Sequence, residues 1–184
     1  MFHLLLPFFL LIFLVLILSI IWRIKARKYI SSNTVASAYD AWTQDKLLER
    51  LWGEHIHLGF YPSGKKNIDF RKAKVKFVHE LVKWSGLDKL PKGSRVLDVG
   101  CGIGGSSRIL AKHYGFNVTG ITISPAQVKR ARELTPLGLN CNFQVMDALD
   151  LKFEDGTFDA VWSVEAGAHM NDKTKFANEM LRTL

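Results

Sequence analysis

The chain has 184 residues, with 25 lysines and arginines against 17 aspartates and glutamates, and a formal net charge of +8. After an apolar N-terminal stretch is set aside, the remaining length is enough for one soluble domain. Half of the net charge comes from one short cluster, Arg23, Lys25, Arg27 and Lys28. The basic balance therefore indicates contact with anionic lipid and argues against a nucleic-acid partner.

The chain begins with a stretch that contains no Asp, Glu, Lys or Arg and is almost wholly apolar from Leu4 to Trp22. A helix of roughly 20 residues spans the hydrocarbon core of a bilayer, about 30 Å. Basic residues follow the stretch and no small-residue cleavage site ends it, which favours an anchor over a signal peptide or a buried core helix. We predict a transmembrane anchor over residues 1–22, a basic linker over 23–33 and a cytoplasmic soluble part.

Residues 34–94 predict a helical N-terminal segment. The first helix is expected from Thr34 to Leu51, and a loop from Trp52 to Gly64 follows it. Apolar residues at helical spacing, with lysines between them, predict a second helix from Ile68 to Trp84. Gly86 and the turn at Pro91 end that helix.

From Arg95 the chain alternates short apolar runs with amphipathic segments, which is typical of βα units and a parallel sheet. We therefore predict an α/β fold over residues 95–184. The expected strands are Arg95 to Val99, Asn117 to Thr122, Cys141 to Met146 and Phe158 to Val164, and the expected helices are Gly104 to Tyr114, Pro125 to Leu134 and Asp172 to the end.

The turn after the first strand is rich in glycine, which lets the backbone bend tightly and approach a ligand. Gly100, Gly102 and Gly105 also satisfy the GxGxxG pattern of dinucleotide sites. Two features favour a methyl donor instead. Asp98 would repel a pyrophosphate but suits a cationic amine, and Phe116 to Ser124 contains no acid to grip the ribose of NAD.

The run from Val96 to Ser107 resembles motif I of the class I S-adenosylmethionine methyltransferases, an acid followed by GxGxG. The resemblance implies a Rossmann-like fold and S-adenosyl-L-methionine as cofactor. Many family members have an acid at the end of the second strand, where this chain has Thr122. An alternative for Asp147 is a loop acid that caps a turn. The implied cofactor-binding residues are Asp98, Gly100, Gly102, Gly104, Thr122, Ser124, Gln127, Asp147 and Ala148.

Four stretches are similar to the tocopherol and plastoquinol branch of this family: Val35 to Trp42, Leu51 to Tyr61, Gly120 to Pro125 and Val161 to Met170. The resemblance is to the cyanobacterial methyltransferases of 2-methyl-6-phytyl-1,4-benzoquinol, while γ-tocopherol and sterol methyltransferases share parts of it. It implies C-methylation of a lipophilic prenylated quinol beside the bilayer of a plasma or thylakoid membrane. A tethered enzyme would receive such a substrate without carrying it through water.

Drawing a phenolic proton away makes ring attack on a methyl group easier, so a nearby base is expected. Glu165 and His169 are the best placed, just past the fourth strand, although they are equally readable as a loop acid and a surface histidine. His55 and His57 are weaker candidates, in a segment that by resemblance covers the cofactor. In addition, Tyr39 and Trp52 are candidates for packing either on the cofactor or in the core.

Cys101 and Cys141 lack CxxC spacing, so the sequence suggests two reduced thiols and neither a disulfide framework nor a metal site. The class I sheet has seven strands, and this chain ends after a helix that follows the fourth. We therefore expect an incomplete domain whose fourth strand is an exposed edge. A second hypothesis is a membrane-bound, cofactor-binding fragment without activity, with a partner chain that completes the sheet.

Overall fold

The computed structural model of the chain describes residues 11–18, 32–63 and 67–184. No helix within these ranges combines the length and the apolar character that crossing a bilayer requires. This finding contradicts the predicted single-pass membrane localisation with a cytoplasmic domain. Apart from residues 11–18, which are helical, the proposed anchor lies outside the described residues, as does the basic linker up to residue 31.

Residues 31–184 form one compact unit around a parallel sheet of four strands. The strands are β1 (Arg95–Val99), β2 (Asn117–Thr122), β3 (Cys141–Val145) and β4 (Ala160–Trp162), in the order β3-β2-β1-β4. All three strand pairs are parallel, and Asp98 on β1 lies opposite Gly120 on β2 and Trp162 on β4. The carboxyl ends of all strands therefore meet at one edge of the sheet.

The fourth strand is shorter than predicted, because residues at both of its ends make hydrogen bonds that are not part of the backbone ladder with β1. The Phe158 amide donates to the Thr183 carbonyl in the last helix, and the Ser163 hydroxyl donates to the Val99 carbonyl. The ladder with β1 therefore covers only three residues.

The described part of the chain from residue 32 onward contains six helices, and polar caps fix several of their ends. Asp69, Ser124 and Asp172 each accept hydrogen bonds from the first-turn amides of the helix that follows. The helices are α1 (Ser32–Gln44), α2 (Leu47–Trp52), α3 (Phe70–Ser85), α4 (Gly105–Tyr114), α5 (Pro125–Leu134) and α6 (Lys173–Thr183), with 3₁₀ turns at Leu87–Lys89 and Ala166–His169.

The prediction of one helix from Thr34 to Leu51 is wrong, because the chain breaks between α1 and α2. Lys46 adopts a left-handed conformation with φ of 52°. A tertiary ion pair then fixes α2, since Glu49 accepts two hydrogen bonds of 2.6 and 2.8 Å from Arg130 on α5. The sequence around Lys46 contains no glycine or proline, so it gives little local signal of this break.

The sheet separates two apolar layers, because successive strand residues point to opposite faces. Val96 packs with α3 and α4 in one cluster, while Leu97 and Val99 pack with Phe176 of α6 in the other. Asp98 shares the face of Val96 by the same alternation. Helices thus cover both faces, as the α/β prediction requires.

Candidate cofactor and active site

The site begins with Asp98, a carboxyl buried at the end of β1. Its residue is 2% exposed, and the Ser107 hydroxyl donates a hydrogen bond of 2.6 Å to Oδ2. Burial raises the pKa of Asp98 to about 6, although the Ser107 hydrogen bond lowers it. The fold therefore holds a carboxyl whose charge is costly without a cationic partner.

The glycines after Asp98 have two different functions in the turn. A Cβ at Gly100 would lie 2.3 Å from the Ala166 side chain, and one at Gly104 would lie 2.6 Å from the Phe143 ring. Close packing therefore requires glycine at both positions. Gly102 has φ of 56°, and no atom lies within 4 Å of the place that a Cβ would take, so its side of the turn is open to a ligand.

The end of β2 carries three predicted site residues in one buried network. The Thr122 hydroxyl donates to Gln127 Oε1 at 2.6 Å and accepts from the Ser124 amide at 3.3 Å. Ser124 Oγ in turn accepts from the Gln127 amide at 3.1 Å. The structure thus brings together three of the residues that the resemblance implies for cofactor binding.

Sequence reasoning missed a fourth member of this network, Asp40 on α1. Its Oδ1 accepts hydrogen bonds from the Ser124 hydroxyl and, at 3.0 Å, from the Ala126 amide. Asp40 lies 84 residues from Ser124, and no local pattern links the two positions.

Asp147 and Ala148 follow β3 at the same sheet edge. The Met146 amide donates to the Thr122 carbonyl at 3.0 Å, which places these residues beside the end of β2. Asp147 Oδ1 accepts from the Leu149 amide at 2.9 Å, so its carboxyl caps a turn, as the alternative interpretation states. Ala148 is buried in the core cluster of Leu97.

The cover loop, residues 53–58, lies directly on the glycine turn. A Cβ at Gly105 would lie 2.7 Å from the Glu54 carbonyl oxygen. Arg108 Nη2 contacts Glu54 Oε2 at 2.6 Å, and Lys74 Nζ donates to the His55 carbonyl at 2.7 Å. Two cations of the domain therefore hold the loop in place.

The two predicted base candidates have different partners. Glu165 Oε1 accepts from the Leu58 amide at 2.9 Å, which ties the 3₁₀ turn after β4 to the cover loop. His169 Nε2 lies 2.9 Å from the hydroxyl oxygen of Tyr39, and the two rings meet edge to face. Burial raises the pKa of Tyr39.

His55 and His57 belong to the cover loop, and two of their ring nitrogens lie 3.1 Å apart. Burial lowers the pKa of His55 to about 3 and also lowers the pKa of His57. Both rings are therefore weak bases at neutral pH. The Trp52 ring packs at a tilt beside Phe70, and the Lys74 ammonium group lies over it, so Trp52 packs within the N-terminal segment.

One cavity joins the N-terminal helices to the cofactor loop. It brings side chains of α1 and α2 to the glycine turn and to the start of α5. Its lining consists of Tyr39, Trp42, Thr43, Leu48, Glu49, Gly53, Ile56, Ile103 and Gln127.

The two cysteines are free thiols, and burial raises the pKa of Cys141 to about 11. Burial also raises the pKa of Cys101, so both thiols are protonated at neutral pH. Within the described ranges, no three His, Cys, Asp or Glu side chains are grouped to hold a metal ion.

Residues 96–184 match the family model described as a methyltransferase domain. This part of the chain belongs to the methyltransferase family. The predicted family and the α/β class I methyltransferase fold are thereby confirmed, with the parallel sheet of four strands as its core. The buried Asp98 and the glycine turn lie within the matched residues.

Two curated relatives are methyltransferases of the tocopherol branch. The 2-methyl-6-phytyl-1,4-hydroquinone methyltransferase of Synechocystis sp. is 61% identical over 164 residues, which is 89% of this chain and 52% of the relative. The tocopherol O-methyltransferase of Arabidopsis thaliana is 45% identical over 146 residues, 74% of this chain and 42% of the relative. The chain thus spans about half the length of the relatives it matches.

Solved structures share the fold of the domain. The [4+2]-cyclase SpnF matches with a TM-score of 0.74 and 29% identity, over 84% of this chain and 56% of that one. The geranyl diphosphate C-methyltransferase of Streptomyces coelicolor A3(2), solved with S-adenosylhomocysteine, matches with a TM-score of 0.67 and 22% identity, over 86% and 63% of the two chains. Because a cyclase shares this fold, the reaction must be argued from the site itself.

Proposed function

We propose that the chain binds S-adenosylmethionine and methylates a ring carbon of a prenylated benzoquinol. The observation that carries the proposal is the buried Asp98 carboxyl ahead of a glycine turn that is open at Gly102. The relative at 61% identity, whose name gives a phytyl hydroquinone as substrate, supports the acceptor class.

The residues present fit the cofactor. The amine of the cofactor is a cation, and it offers the buried Asp98 carboxylate the partner that the described residues do not supply. The open side of Gly102 leaves room for the amino-acid end of the cofactor. Thr122 and Gln127 stand after β2, the position from which open α/β sheets commonly bind the ribose of a nucleotide. When bound, S-adenosylmethionine supplies a sulfonium methyl group that an electron-rich ring carbon attacks in line.

The Tyr39 and His169 pair can draw away the phenolic proton of the quinol. Tyr39 lines the cavity, and its hydroxyl is within hydrogen-bond distance of His169 Nε2. A quinol proton passes to the Tyr39 oxygen while the tyrosine proton passes to His169. The ring carbon gains electron density and would take the methyl group as the bond between that group and the sulfonium sulfur breaks, which releases S-adenosylhomocysteine. The ring then loses its own proton to water, and the phenolate oxygen regains a proton from the Tyr39 and His169 pair.

Glu165 has a positioning role in this scheme, because its carboxyl holds the Leu58 amide of the cover loop. A glutamine at this position keeps an oxygen that accepts the same hydrogen bond but is no base. A closed loop excludes water, and orientation of the two reactants is the main catalytic requirement.

The first experiment is calorimetric titration of S-adenosylhomocysteine into the full chain in mild detergent, with NAD as control. Selective binding is expected, and a folded protein that binds neither ligand would refute the cofactor assignment. Methyl transfer is then measured on the phytyl hydroquinone of the first relative and on γ-tocopherol, the class suggested by the 45% identical relative.

Two variants separate the base from the positioning residue. His169→Ala should lower the rate about 10²-fold, and Glu165→Gln should leave it within a few-fold of the unchanged chain. The reverse order would contradict the relay, while cofactor binding without any transfer would support the hypothesis of an inactive fragment.

A further inference from the structure

We infer that Asp40 on α1 binds a ribose hydroxyl of the cofactor and so replaces the acid that the end of β2 lacks. The inference rests on the proposed function, since it concerns the same cofactor. Nucleotide sites in open α/β sheets commonly place a carboxylate after the second strand to accept hydrogen bonds from the ribose. Thr122 occupies that position here, and no acid occurs from Phe116 to Ser124.

The structure brings a carboxylate to this place from a distant part of the chain. Asp40 contacts the Ser124 hydroxyl, and the Ser124 amide lies 3.3 Å from Thr122 Oγ1. Only Ser124 therefore separates the Asp40 carboxylate from the last residue of β2. Tyr39 and Thr43, on the same helix as Asp40, line the cavity that also contains Gln127.

The carboxylate has acceptor capacity to spare. Both of its hydrogen bonds, from Ser124 Oγ and from the Ala126 amide, end on Oδ1. Among the described residues no donor reaches Oδ2, whereas an ionised carboxylate offers about four acceptor positions. A ribose hydroxyl is a donor of the kind that Oδ2 can accept, and such a bond to a charged oxygen is stronger than one to a neutral group.

A purely structural role is the competing explanation, because Oδ1 caps α5 and ties α1 to it. Asp40→Asn separates the two roles. The asparagine Oδ1 can still accept both hydrogen bonds, so the cap and the contact between helices remain. Its amide nitrogen replaces Oδ2 and cannot accept a hydrogen bond from a hydroxyl.

The test is calorimetric titration of the full chain with S-adenosylhomocysteine and with its 2′-deoxy and 3′-deoxy analogues. The unchanged chain should lose about 10-fold or more in affinity for one deoxy analogue. Asp40→Asn should bind S-adenosylhomocysteine about 10-fold more weakly than the unchanged chain does. For that deoxy analogue, which lacks the hydroxyl, the two chains should have the same affinity. Asp45→Asn, the same change at an exposed position just after α1, is the matched control and should have no effect.

Two results would overturn the inference while leaving the cofactor assignment intact. One is an Asp40→Asn chain with unchanged affinity for S-adenosylhomocysteine. The other is an equal loss of affinity for all three ligands, which would indicate that Asp40 only docks α1. A folded, unchanged chain that binds none of the ligands would overturn both proposals. If circular dichroism shows that Asp40→Asn is unfolded, the two deoxy analogues still test the inference on the unchanged chain, because undiminished affinity for both of them would overturn it.

Discussion

Replacing Asp98 by asparagine should stabilise the folded chain while weakening its binding site. Burial raises the pKa of Asp98 from 3.8 to about 6. Its ionised form is therefore disfavoured in the folded state relative to the unfolded state. The contribution of this carboxyl to stability is most favourable below pH 3.8, declines as the pH rises to about 6, and stays constant above that value.

The magnitude follows from the two pKa values. Between 3.8 and about 6, each pKa unit corresponds to 1.36 kcal/mol, so ionised Asp98 costs about 3 kcal/mol of unfolding free energy. Asparagine is neutral at every pH, and its side-chain oxygen can accept the Ser107 hydrogen bond. The stability advantage of Asp98→Asn should therefore grow by about 2 kcal/mol between pH 4 and pH 7.5, because part of the cost is already present at pH 4.

Urea unfolding followed by circular dichroism, at half-unit pH steps, measures this difference. Asp159→Asn is the control, because the Arg95 amide and guanidinium lower the pKa of Asp159. Its carboxylate stabilises the fold above its unfolded pKa and loses that effect as the pH falls, so this variant should show the opposite pH trend. An Asp98→Asn advantage that does not vary with pH would refute the argument from burial.

The same carboxyl should make cofactor binding depend on pH. A cationic amine binds the ionised form, so the affinity for S-adenosylhomocysteine should rise as the pH increases through about 6. Asp98→Asn should bind weakly and lose this dependence. If it binds as tightly as the unchanged chain at pH 7.5, Asp98 is not the amine partner.

Two further predictions concern the cover loop. Gly105→Ala places a Cβ 2.7 Å from the Glu54 carbonyl, so chymotrypsin should cleave after Phe60, just beyond the cover loop, about 10-fold faster. Unchanged cleavage would mean that the loop adapts. Glu54 is half exposed, so a double-mutant cycle of Arg108→Gln and Glu54→Gln in urea unfolding should give a coupling of about 1 kcal/mol; zero coupling would show that the pair does not hold the loop.

The elements that the sequence predicts well are those with a local signal. All four strands lie within or at their expected ranges, because apolar runs bounded by turns mark them directly. The glycine turn was equally predictable from the sequence. At Gly100 and Gly104 the backbone conformation and the close contacts exclude residues with a side chain. The boundaries of β4 and the break at Lys46 could not be predicted from the sequence, because partners far away in the chain determine them.

The contacts that complete the site are long-range pairs without a local pattern. Tyr39 and His169 are 130 residues apart, and Leu58 and Glu165 are 107 residues apart. Periodicity indicates which face of a helix is buried but not which polar side chain it meets. The sequence therefore named Glu165 and His169 together as base candidates, whereas the structure gives them separate partners.

Neighbouring residues of α1 connect the proposed cofactor side of the site with the proposed acceptor side. Asp40 contacts Ser124 after β2, and Tyr39 contacts His169 after β4. A ligand that fixes Asp40 also restricts the next residue along the helix, because both belong to one hydrogen-bonded turn. If the cofactor binds Asp40 as proposed, it would order α1 and place the Tyr39 hydroxyl for proton transfer, since the entropy of that arrangement would already be lost when the quinol arrives. On this argument, Asp40→Asn should lower the methyl-transfer rate even at saturating cofactor, whereas a variant that only weakens cofactor affinity regains its full rate there.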